Sequence, residues 1–225
     1  MIRAVVTFIC LGMCFLGSLY SLSAGQFETY REIPRSPGNS CCGIQLHTTT
    51  RLSNDRIAYL IEVARSLNKQ AIHQKVGVTR FIIEPNFLAL GSFSWTAKRG
   101  GIMIIGEECL TGSEVNFISI LYHEYAHIYF MAVPLYVEIN QRYFDELFPV
   151  EQAYFKEDAF LHNEMGHPTV SSSELFASAM TLASLVNDGL LDGNYINPPA
   201  GAVPYWKWIN TLPLFKVSHR PSLFH

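Results

Sequence analysis

The chain predicts an α+β fold, and three observations carry that prediction. Apolar residues Ile57, Leu60, Ile61, Ala64 and Leu67 recur at helical spacing between Ser53 and Asn68. Three stretches of strand character follow, Val78 to Glu84, Phe87 to Trp95 and Gly101 to Glu107. The turn residues Pro85-Asn86 and Lys98-Arg99-Gly100-Gly101 divide them, which predicts a small antiparallel or mixed sheet. A long apolar helix then opens at Ser113, an N-cap candidate with Glu114 in the first turn, and runs towards Pro134.

Taken in order from the N-terminus, residues 1–24 read as an export signal. Arg3 supplies a short positive start, and Ala4 to Tyr20 form an apolar run of roughly 17 residues. Ser21 and Ser23 place small side chains at the −3 and −1 positions of a cut before Ala24, and a cut after Ala24 would put the bulkier Leu22 at −3, so the mature chain is expected to begin at Ala24 or Gly25. The expected location is secreted or periplasmic; membrane contact is expected only if the segment stays uncleaved as an anchor. Residues 25–52, rich in Pro, Gly and Ser, predict an irregular lead. Residues 53–196 form the expected domain, and 197–225, with Pro198, Pro199, Pro204 and Pro221, an irregular tail covering its surface.

Composition narrows the function classes. With 225 residues, 49% hydrophobic and 16% charged, the chain can build one solid core. A net charge of −3, without a basic run or a phosphate-cradling glycine loop, argues against nucleic acid as a partner. The aromatic-rich stretch 135–162 predicts further helix, its rings chiefly core. Cys41, Cys42 and Cys109 remain after cleavage, and in an oxidising compartment one of the adjacent pair could bond Cys109.

The chemistry concentrates in His123-Glu124-Tyr125-Ala126-His127. Side chains four apart share one helix face, so His123 and His127 can offer two imidazole nitrogens to one metal ion. Glu124 is then placed to reach a water on the metal and to act as general base, the pattern of a zinc hydrolase. Val115, Ile118, Leu121, Tyr122 and Tyr125 recur around it, so the segment is expected to be a core helix with its polar residues turned into a cleft.

A third ligand is sought downstream. Ser171-Ser172-Ser173-Glu174 reads as a capped helix start, and Glu174-Leu175-Phe176-Ala177-Ser178-Ala179-Met180 resembles the ligand-bearing segment of gluzincin metallopeptidases of the anthrax lethal factor type. The resemblance covers roughly residues 53–185. It implies a zincin-like fold, a Zn²⁺ cofactor held by His123, His127 and Glu174, and a peptide or protein substrate. That substrate would pair with the exposed edge of the small sheet. His167 stands where the lethal-factor type places a tyrosine to steady the developing oxyanion, and the resemblance gives it that role. A metzincin is excluded by Phe130 and Val133, and Ser178 departs from the Glu-x-x-Ala-Asp pattern of membrane peptidases.

Rival third ligands are Glu146, Glu151, Asp158 and His162. Ser173 and Asp158 are candidates for orienting the imidazoles. The alternative function is an exported zincin-fold binding protein that has given up turnover.

Overall fold

The computed structural model describes residues 30–32, 45–48, 54–70, 78–84, 91–96, 100–106, 113–147, 149–157 and 170–217. The architecture is α+β. Five strands, β1 (Tyr30–Glu32), β2 (Gln45–Thr48), β3 (Val78–Glu84), β4 (Gly91–Thr96) and β5 (Gly100–Gly106), make one mixed sheet in the order β1-β2-β3-β5-β4. The strands β2, β3 and β5 run parallel, and the outer strands β1 and β4 are antiparallel to their neighbours.

Of the two forms expected from the turns, the mixed sheet is the one present, and the purely antiparallel one is overturned by the parallel pairs β2–β3 and β3–β5. Only β4 and β5 form the antiparallel hairpin that a short turn implies; β5 then inserts beside β3 and runs parallel to it, Ile83 opposite Ile105. The physical reason lies in the side chains. Phe81-Ile82-Ile83 and Ile102-Met103-Ile104-Ile105 are unbroken apolar runs, the pattern of central strands covered on both faces. Gly91-Ser92-Phe93-Ser94-Trp95 alternates polar and aromatic residues, which suits an edge. The lead expected to be irregular contributes β1 and β2, so it belongs to the sheet.

Six helices accompany the sheet among the described residues: α1 (Asn54–Asn68), α2 (Glu114–Ala132), α3 (Pro134–Asp145), α4 (Pro149–Glu157), α5 (Ser172–Asn187) and α6 (Val203–Ile209). Ser113 caps α2 by accepting from the Asn116 amide at 3.2 Å. At its other end Val133 turns to an extended backbone, and Pro134 opens α3 where a missing amide hydrogen costs nothing. Past α5, Gly189 takes φ +70, a conformation open to glycine, and lets Leu190 N–H reach back to the Leu185 carbonyl at 2.9 Å.

The long α2 is buried nearly all round and packs most extensively along α5. Tyr59, Leu60 and Val63 of α1, Ile83 and Met103 of the sheet, and Phe176 and Met180 of α5 share its core. Residues of the tail close the far side. Phe215 lies against the rings of Tyr122 and Tyr129, its amide donates to Ser184 Oγ at 3.1 Å, and the Val217 amide donates to Asp188. So the tail is a fastened strap, and it includes α6 where an irregular segment was expected.

Candidate metal centre

Two helices bring the site together. His123 and His127 stand one turn apart on α2, and Glu174 enters from the first turn of α5, whose N-cap Ser171 accepts from the Glu174 amide at 3.2 Å. His123 Nε2 lies 3.1 Å from Glu174 Oε2 and 3.2 Å from His127 Nε2, and His127 Nε2 lies 3.5 Å from Glu174 Oε1. Ligand atoms about 2.0–2.1 Å from a tetrahedral zinc are separated by roughly 3.3–3.4 Å, and these contacts, which use both oxygens of Glu174, lie near that spacing. The three residues form a group that could hold a metal ion.

Burial sets the charges. Glu124 is 6% exposed, and loss of water drives its carboxyl up to about 7, with the Glu174 charge adding and His123 opposing. His127 is pushed down to about 4 by burial and by the neighbouring His123. At His123 burial also disfavours the charge, but the Glu174 hydrogen bond and the Glu124 and Glu174 carboxylates outweigh it and raise the imidazole. Without a metal the site thus favours a proton on His123 beside Glu174, while His127 stays neutral.

One orienting contact is present. Ser173 Oγ sits 2.8 Å from His127 Nδ1 and so fixes which nitrogen of that ring faces the cluster. Ser173→Ala is expected to weaken metal affinity about 10- to 100-fold with the fold intact, read by competition with a chromophoric chelator.

Sequence reasoning missed Gly91. This first residue of the edge strand β4 lies so close to the general-base candidate that a Cβ there would meet Glu124 Oε1 at 2.8 Å and Ile120 Cγ2 at 2.9 Å. A lone glycine at a strand end is the signal such a close approach leaves. Gly91→Ala is expected to push the Glu124 carboxylate aside; were Glu124 to act as a general base, turnover would fall at least about tenfold with any bound metal retained, the scale of a misplaced reacting group.

Of the rival ligands, Glu146 is exposed at the end of α3, and Glu151, buried on α4, packs its carboxylate against Gly201. Neither belongs to the cluster. His167, His162 and Asp158 lie outside the described residues, as do the signal segment and Cys41, Cys42 and Cys109. Comparison with protein-family models, with curated proteins and with solved structures finds no match for this chain.

Proposed function

We propose that this chain is an exported zinc metallopeptidase of the gluzincin kind, with His123, His127 and Glu174 as ligands and Glu124 as general base. The observation that carries the reading is the meeting of His123, His127 and Glu174 in one group that could hold a metal ion, with the buried Glu124 carboxyl next to it on the helix. A zinc ion held there would polarise a carbonyl and acidify a water molecule. The chain's own groups supply the rest.

Glu124, raised to about 7, matches its proton affinity to neutral solution, so it can take a proton from the attacking water and give it to the departing amine. Its carboxylate abuts Gly91 at the start of β4, whose outer edge is unpaired among the described residues. An extended peptide can add to that edge through main-chain hydrogen bonds, which would lay its backbone across the cleft beside Glu124. Ser173 holds His127 in orientation throughout. The N-terminal apolar segment supports export.

The test is zinc content by mass spectrometry together with cleavage of an unfolded protein such as casein. One zinc per chain, cleavage abolished by a chelator and restored by zinc, is the expected result. Zinc without cleavage would turn the reading into a non-catalytic binding protein, and a chain that takes up no zinc would sink it.

A further inference from the structure

Most of α3 faces solvent, yet its one fully buried side chain is an amide: Asn140 is 0% exposed. An apolar residue would fill the same space without the roughly 1–3 kcal/mol that an unbonded amide costs when buried. Asn140 meets that cost through two bonds, one to the helix that carries Glu174 and one to a buried tyrosine. Its Nδ2 donates to the Ser172 carbonyl in the first turn of α5, and its Oδ1 accepts from the Tyr205 hydroxyl at 2.7 Å.

The two anchors differ in kind. Tyr205 is 1% exposed on α6, its ring packed among Tyr143, Phe155, Trp206 and Trp208, so its hydroxyl is a fixed reference point. Ser172 is the first residue of α5, and its hydroxyl also donates to Gln141 Oε1 at 2.6 Å. Thus α3 grips this residue by both main chain and side chain. The next two residues are Ser173, which meets His127, and Glu174, which meets both imidazoles.

We propose that Asn140, braced by Tyr205, is a positioning residue for the metal centre, holding the first turn of α5 against α2 so that Glu174 and Ser173 arrive together at the two histidines. The Ser171 cap fixes the local winding of α5, and the apolar packing of Phe176 and Met180 sets its course along α2. The amide adds a directional hold at the first turn, where Ser173 and Glu174 stand, from a third helix. Small displacements matter here, because a ligand constellation tolerates about 0.5 Å before its geometry is lost.

The inference rests on the metal reading, and the experiment separates the two. Zinc affinity is measured by chelator competition on the full chain for the wild type, Asn140→Ala and Tyr205→Phe, with the Co²⁺ absorption spectrum as a probe of ligand geometry. Tyr59→Phe serves as control, since it removes another buried tyrosine hydroxyl bond, from α1 to Glu114 at 2.7 Å, at the start of α2 and more than two turns before His123. Asn140→Ala is expected to lose about 10- to 100-fold in zinc affinity and Tyr205→Phe several-fold, with a changed Co²⁺ spectrum in both. Tyr59→Phe is expected to melt earlier but to bind zinc as the wild type does.

If Asn140→Ala fails to fold, Tyr205→Phe, which loses a single oxygen, decides alone. A wild type that binds zinc while Asn140→Ala or the deciding Tyr205→Phe binds it equally well overturns the positioning role and leaves the metal centre standing. A wild type that binds no zinc overturns both.

Discussion

Glu124→Gln is expected to abolish peptide hydrolysis, keep its zinc, and yet melt higher than the wild type when both are metal-free at pH 8. The first part follows from the role: removing a positioned general base costs about 10²- to 10⁴-fold in rate. Glutamine keeps the shape and leaves His123, His127 and Glu174 in place, so zinc content is unchanged. The stability part follows from burial.

Glu124 titrates at 4.5 in an open chain and at about 7 in the folded one. Between those values the folded state binds more protons than the unfolded, so this group's contribution falls as pH rises through the window and is lost above it. A shift of that size corresponds to about 3 kcal/mol, since one pKa unit is about 1.4 kcal/mol. The neutral amide of Gln escapes this penalty. In the presence of a chelator at pH 8 the variant should therefore melt several degrees higher, at roughly 2–4 °C per kcal/mol for a domain of this size.

Well below pH 4.5 the advantage should vanish, because Glu124 is then protonated in both states. His127 acts in the opposite sense, losing stability as pH falls from 6.5 towards about 4, but it does so in both proteins. Equal melting curves at pH 8 would mean that the Glu124 carboxyl is not desolvated as described. A gain that persists unchanged when zinc is added would also count against the account, because a cation beside the carboxylate favours its charged form.

How much of this was legible in the sequence differs by kind of contact. Local signals came through: the caps Ser113 and Ser171, the stop before Pro134, and the α1 stripe at Leu60, Ile61, Ala64 and Leu67 all act within a turn of themselves and are observed. His123 and His127 share a face by helical geometry alone. The sheet order was not legible, because nothing near the β4–β5 turn states that β5 will return beside β3; that choice is made by burial of the two apolar runs. Nor were Gly91 and Asn140 legible as parts of the site. Gly91 matters for a side chain 33 residues on, and Asn140 for a carbonyl 32 residues away. Such pairings exist only after the helices have docked.

Glu174→Ala is expected to remove zinc, and with it activity, and to change how the metal-free protein responds to pH. The triangle loses its single carboxylate and is left with two neutral imidazoles. The loss of affinity should exceed the roughly 100-fold that outer contacts of a metal ligand cost, so a purified sample should carry little zinc by mass spectrometry. Without metal, Glu174 is also what keeps the proton on His123, through the 3.1 Å contact and its charge, against a burial that disfavours it. His123 in the wild type is raised above 6.5, so its contribution to stability is present below that value and lost as pH rises through the folded value. Alanine at 174 leaves burial and Glu124 acting alone, and the deficit of the variant should be larger at pH 6 than at pH 9. NMR titration of the His123 ring gives a direct check, with a fall in its pKa as the expected result. Zinc retained in Glu174→Ala would instead move the third ligand to another residue, with Asp158 and His162 the first to substitute, while a His123 titration that does not move would show that the carboxylate of Glu174 is not its partner.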